Sequence, residues 1–198
     1  MSDTQRDKQL NIETTGNQYG FPQMAHYHRY EPTPYEGLDI LGDIYPLDNR
    51  SFVDIGCGKG RVPIYMYDRF RIPAVGIDMK EQYIEEAKQN KAAYLRKHPA
   101  KKHTVEFVYN YAQAYDILPT QDVFFFFNPF SVQIFMKFMA NLFDSYAQHP
   151  RVMTIILYYP SHDYIEYMAQ TPFTFVKEIR IQTLYKHNEH ERFLIYEM

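Results

Sequence analysis

The sequence contains no tryptophan and a single cysteine, Cys57. One thiol cannot close an internal disulfide, which excludes a cross-linked secreted scaffold and makes a reducing, cytoplasmic compartment the expectation. Positive charge is also scarce: 21 Lys and Arg stand against 24 Asp and Glu, a formal net charge of −3. Nucleic-acid-binding proteins generally carry a basic surplus that neutralises phosphates. The local basic run here is Lys97 to His103, which includes Lys101 and Lys102 and reads as a solvated helix end and loop. The balance leans against a duplex-binding protein. Long hydrophobic runs are missing too. No stretch approaches about 18 apolar residues free of charge, so no membrane-spanning helix is expected. Met1 to Asn11 is polar and lacks the apolar core of a signal peptide.

What the 198 residues do contain is phenol and phenyl rings, 19 Tyr and 15 Phe. Tyrosine brings an apolar ring and a polar tip to a core or a pocket. The length predicts one domain, with residues 1–49 as a partly disordered cap or extension and 50–198 as the main unit. Residues 1–18 are polar and read as loose. Pro22, Pro32 and Pro34 punctuate the segment that follows. Gly37 to Tyr45 reads as a helix. From Ser51 the pattern becomes regular, with strands over 52–55, 74–77, 105–109, 122–127, 152–158, 173–185 and 191–198. Helices are predicted over 61–70, 81–98, 132–147 and 162–169, with Pro63 tolerated in a first turn. Strands alternating with helices imply a doubly wound, mostly parallel α/β sheet of seven strands. The short link between the last two strands forces that pair to be antiparallel. No metal is implied: His26 and His28 lack a third ligand at a known spacing, and His187 and His190 fall in a polar turn.

Residues 53–61 read Val-Asp-Ile-Gly-Cys-Gly-Lys-Gly-Arg. Gly56, Gly58 and Gly60 lie between the first strand and the first helix of the regular pattern. Glycines there let a ligand approach the backbone without a Cβ clash, at the crevice where the strands end. Asp78 closes the second strand, where a carboxylate can accept two hydrogen bonds from a ribose diol. The spacing G-x-G-x-G, with Asp54 two residues before the first glycine, departs from the dinucleotide pattern and argues against a pyrophosphate. A plain strand-to-helix turn is the competing reading. Cys57 reads as a small residue that fits the loop rather than as a thiolate nucleophile.

VDIGCGKGR followed by the acid of GID resembles the class I S-adenosylmethionine-dependent methyltransferases, a Rossmann-like family whose sheet also ends in an antiparallel pair. The resemblance covers about residues 50–198. It implies S-adenosyl-L-methionine as cofactor, with Gly56 and Gly58 beneath its methionine part, Cys57 and Gly60 also among its contacts, and Asp54 near its amino group. Asp78 is implied for the ribose hydroxyls and Met79 for the adenine face. The family often places an acid and an alanine near the adenine amine; Asn110-Tyr111-Ala112 stands there in this sequence, so Tyr111 and Ala112 are implied as contacts without the acid.

Asn128-Pro129-Phe130 ends the fourth strand and resembles the D/N-P-P-aromatic motif of amino-group methyltransferases, with the second proline absent. That resemblance implies a catalytic role for these three residues, with Asn128 also beside the cofactor. The alternative for Asn128 is a helix cap. Tyr30, Thr33 and Tyr35, in a segment stiffened by prolines, and Tyr159 after the fifth strand are candidate acceptor contacts. The expected activity is methyl transfer to nitrogen, or oxygen, on a small molecule or a protein. A catalytically silent cofactor-binding relative and a nucleotide-dependent oxidoreductase are the alternatives.

Overall fold

Four consecutive phenylalanines set the middle of the molecule. They belong to strand β4 (Val123–Phe127), whose side chains alternate between the two faces of the sheet. Phe124 and Phe126 enter one core with Phe135, Phe138 and Met139, while Phe125 enters the other with Phe52 and Ile156. Burial on both faces is what a central parallel strand requires, and it explains why this run is apolar throughout instead of alternating.

The computed structural model describes residues 1–16, 27–99 and 104–198. His26, residues 17 and 18 of the expected loose N-terminus, and Lys101 to His103 of the basic run lie outside the described residues. Around β4 the sheet contains β1 (Phe52–Ile55), β2 (Ala74–Asp78), β3 (Val105–Tyr109), β5 (Thr154–Tyr158), β6 (Thr174–Arg180) and β7 (Arg192–Glu197). Their order is β3-β2-β1-β4-β5-β7-β6, and β7 runs antiparallel to both of its neighbours. The expected seven-stranded, mostly parallel sheet with a closing antiparallel pair is therefore the observed one. Ile55 pairs with both Ile77 and Phe126, and Phe127 pairs with Tyr158. This register brings the strand-end residues that follow β1, β2, β4 and β5 out along one edge.

Helices α3 (Arg61–Phe70), α4 (Glu81–Lys97), α5 (Val132–Gln148) and α6 (His162–Met168) connect the strands, and α2 (Tyr35–Ile44) covers one face through Leu38 and Leu41. Among the described residues no helix is long and apolar enough to cross a membrane.

Two segments differ from the sequence reading. The N-terminal residues expected to be loose form helix α1 (Asp3–Leu10), opened by a reciprocal capping box between Ser2 and Gln5 and closed by Asn11 in the left-handed conformation. The single strand expected over 173–185 stops at Arg180; Ile181 turns inward, fully buried, and a short helix α7 (Gln182–Tyr185) follows.

Helix α1 is fastened by buried polar groups. Asp7 is 3% exposed and accepts hydrogen bonds from the Thr14 amide (2.8 Å), the Thr14 hydroxyl (2.9 Å), the Thr15 amide (3.2 Å) and the Tyr35 hydroxyl (2.7 Å). Beside it, Arg61 is 2% exposed; it donates through Nε to the Thr14 hydroxyl (2.6 Å) and through Nη1 to Asp3 and the Thr33 carbonyl (3.0 Å). Removing one member of such a buried cluster strands the charge of the other. Asp7→Ala is expected to lower the unfolding free energy by about 3–5 kcal/mol, read as a lower midpoint in urea denaturation. A loss below about 1 kcal/mol, the level of an exposed pair, contradicts the fastening role.

Candidate active site

The loop after β1 is built without room for side chains. A Cβ placed on Gly56 falls 2.6 Å from Pro129, one on Gly58 falls 2.1 Å from the Tyr30 ring, and one on Gly60 falls 2.5 Å from Phe107. Gly56 also holds φ at 87°, a conformation that costs other residues strain. Cys57 is buried against Gly76, whose own missing Cβ makes space for the sulfur. Burial, with Asp78 and Asp54 nearby, pushes the Cys57 thiol up, which favours its protonated form.

Asp78 accepts from the Gly58 amide (3.0 Å) and the Lys80 amide (2.9 Å). Burial raises its carboxyl, and these amide donors pull it back toward the ionised form. Asp54 differs. It sits inside the central strand, 3% exposed, with no side-chain hydrogen bond among the described residues. Burial first, and then the charge of Asp78, raises its carboxyl well above the usual range. Tyr83, whose ring lies tilted against Tyr30 with centroids 5.1 Å apart, is pushed up to about 12, mainly by burial.

These groups surround a cavity of about 870 Å³, its open mouth included. Its floor is Asp54, Gly56, Cys57, Asp78 and Met79; Asn110 and Ala112 form one side, and Pro129 and Phe130 the end. Its roof is the segment from Tyr27 to Thr33. That segment is pinned to the end of β4: Tyr27 bridges Phe130, the His28 amide donates to the Pro129 carbonyl (3.0 Å), and His28 Nδ1 lies 2.6 Å from the Asn128 carbonyl oxygen. A second hollow of about 560 Å³ adjoins the first and shares His28, Arg29, Glu31 and Phe127 with it, adding Asn128 and Tyr159.

Asn128 and Tyr159 occupy matching positions just past β4 and β5, and both have positive φ, 38° and 51°. Such backbone in non-glycine residues clusters at functional sites. Asn128 is not the cap of α5; Ser131 is the cap residue. The Asn128 Oδ1 is buried and has no hydrogen-bond partner among the described residues.

Most of the sequence candidates thus converge. Asp54, Gly56, Cys57, Asp78, Met79, Ala112, Pro129, Phe130, Tyr30 and Thr33 line the first cavity, and Asn128 and Tyr159 the second. Gly58 and Gly60 sit behind the lining, against Tyr30 and Phe107. Tyr111 is 45% exposed and lines neither cavity. Tyr35, a candidate acceptor contact, instead opens α2 as a core residue, 3% exposed, bonded to Asp7 and lying 4.5 Å below the Arg61 guanidinium. Pro34, one of the prolines that stiffen this segment, here precedes the start of α2.

Sequence reading passes over Arg61 and His28. Arg61 had a signal: it is a cation on the first residue of a helix, the end where the helix dipole disfavours positive charge. His28 had none, because its partners lie a hundred residues away in the chain.

Residues 47–137, a little under half of the chain, match the methyltransferase-domain family. Over that stretch the chain is similar to a methyltransferase domain. No curated protein sequence matches it as a relative. Solved structures share its fold at low identity. An RNA methyltransferase from Salinibacter ruber, solved with S-adenosyl-L-homocysteine, is 17% identical with a TM-score of 0.59, over 84% of this chain and 92% of that one. A methyltransferase from Thiobacillus denitrificans with the same ligand gives 15% and 0.56 over 84% and 92%. The magnesium protoporphyrin IX methyltransferase from Synechocystis, with S-adenosylmethionine bound, gives 14% and 0.54 over 81% and 74%. These likenesses show a shared fold.

The raised Asp54 carboxyl fixes a stability trend. A buried acid whose folded value lies above its unfolded value of about 3.9 stabilises fully below that pH. Its contribution is lost as pH climbs through the folded value. Asp54→Asn, which cannot ionise, should therefore melt above the native protein at pH 8 without ligand, and the gap should close near pH 4. A difference that does not change with pH contradicts the burial argument.

Proposed function

We propose that this protein uses S-adenosylmethionine to methylate a nitrogen atom of a small molecule or a protein side chain. The fit of the cofactor rests on the residues around the first cavity. The loop at Gly56 leaves a cradle that a Cβ would fill, and Asp54 is a buried carboxyl on the wall of the cavity. Asp78 stands where it can accept from the ribose hydroxyls, Met79 beside it lines the adenine end, and Asn110 and Ala112 close that side. Tyr111 can contribute only its backbone, since its ring faces outward. When bound, the cofactor supplies an electrophilic methyl group on a sulfonium.

The observation that carries the nitrogen reading is the buried, unpartnered Oδ1 of Asn128. An amide oxygen accepts an N–H and so turns the nitrogen lone pair away from itself, which orients the acceptor without a strong base. A hydroxyl acceptor needs its proton removed, and Asn128 is no base. Phe127 and Tyr159, which line the second hollow, and Phe130 at the end of the first, limit water around that oxygen and offer ring faces to a cation. The net charge of −3 favours a small molecule or a protein over RNA as the acceptor.

Two variants separate the parts of this reading. Asp78→Ala should weaken S-adenosylhomocysteine binding in calorimetry by about tenfold or more, the scale of a charge-assisted hydrogen bond. Unchanged affinity rules out its ribose role. Asn128→Ala should lower kcat on an amine acceptor by on the order of 100-fold, with cofactor affinity within about threefold of native. An equal loss of both marks Asn128 as structural.

A further inference from the structure

The three backbone carbonyls that follow β4 already accept hydrogen bonds. The Asn128 carbonyl takes one from His28 Nδ1 (2.6 Å), the Pro129 carbonyl one from the His28 amide (3.0 Å) and the Phe130 carbonyl one from the Tyr164 hydroxyl (2.8 Å). Two side-chain acceptors at this strand end have no donor among the described residues. One is the buried Oδ1 of Asn128. The other is Nε2 of His28, because a carbonyl can only accept and Nδ1 therefore carries the ring's hydrogen. Both side chains line the second hollow.

The other polar groups on that hollow have different capacities. Arg29 can only donate. The Tyr159 hydroxyl accepts from Asn188 Nδ2 (2.7 Å) and keeps its own hydrogen to donate. Glu31 lies near enough to the Tyr158 hydroxyl for its charge, after burial and Glu191, to help raise that phenol. A neutral primary amine has two N–H groups and one lone pair. Two acceptors, one on each N–H, fix the direction of the lone pair, whereas a single acceptor leaves the group free to turn about it.

We infer that His28 is a specificity-determining residue for the methyl acceptor: Asn128 Oδ1 and His28 Nε2 together receive the two N–H groups of a primary amine. This rests on the nitrogen-methylation reading and narrows its substrate class. The imidazole is oriented for the task, because the amide and Nδ1 of the same residue are both bonded to the strand end. A neutral secondary amine has one N–H and satisfies only one of the two acceptors. The site is thereby matched to the first methylation of a nitrogen.

Sinefungin tests this before any acceptor is known. It is S-adenosylhomocysteine with the sulfur replaced by a carbon that bears an amino group, so its N–H groups take the place of the cofactor's methyl. Calorimetry on the native protein should show sinefungin binding on the order of 10- to 100-fold more tightly than S-adenosylhomocysteine. His28→Asn, which offers a donor in place of Nδ1 and nothing at Nε2, should cut that ratio by about tenfold and leave S-adenosylhomocysteine affinity within about threefold of native. His28→Gln, which carries both a donor and an acceptor, should restore part of the ratio, and Glu31→Gln should keep it within about threefold. The N,N-dimethyl derivative of sinefungin, with one N–H left on its ammonium group, should bind no more tightly than S-adenosylhomocysteine. A ratio unchanged in His28→Asn, or lost equally in Glu31→Gln, overturns the role of His28 and leaves that of Asn128 standing. An equal loss of both ligands in His28→Asn reduces His28 to a pin of the roof and overturns the inference as well. Equal affinity of the native protein for the two ligands overturns the paired acceptors and leaves the cofactor site standing. Binding of neither overturns the cofactor reading and the inference with it.

Discussion

The whole edge of the sheet is organised by a shortage of space around one loop. Gly56 is held against Pro129, Gly58 against Tyr30 and Gly60 against Phe107. Those neighbours come from the end of β4, from the N-terminal segment and from β3. A loop of ordinary residues would push all three away, and with them the roof and the end wall of the cavity. Because interiors are close-packed, a contact set by absent atoms is as constraining as one set by present atoms. Residues 27–33 are for this reason part of the site and not an appendage to it.

Electrostatics at this edge favours ligands over stability. Asp54 is buried in a central strand where an apolar residue would serve the sheet better, and Asp78 lies close enough to raise it further. Asn128 and Tyr159 hold unfavourable backbone, and the buried Oδ1 of Asn128 has no hydrogen-bond partner among the described residues. Natural sequences accept such local costs where function demands them. The compensation sits on the two large apolar cores on either side of the sheet.

The elements between residues 52 and 168 were legible in the sequence because each has a strong local signature. The strands are short β-branched or aromatic runs, and the helices carry one apolar face between polar turns. The antiparallel end of the sheet followed from the length of a link. Helix α1 was missed because it has almost no apolar face; what opens it is the Ser2–Gln5 capping box, a local signal outweighed by overall polarity. Strand β6 was drawn too long because Ile181 and Leu184 continue its apolar pattern, although Ile181 leaves the strand to enter the core. In the site, the glycines, Asp54, Asp78 and Asn128 announce themselves through a short motif or a strand end. Tyr35 was misplaced and Arg61 passed over for one reason: their roles are set by Asp7 and Thr14, and contacts at that separation leave no periodicity to read.

The pin between His28 and the end of β4 has a protonic consequence. The Asn128 carbonyl oxygen can only accept, so Nδ1 of His28 must be the nitrogen that carries hydrogen. The neutral ring is thereby confined to one tautomer, with its lone pair on Nε2. The attachment of the roof to the strand end therefore uses the ring's one donor and leaves Nε2 as an acceptor.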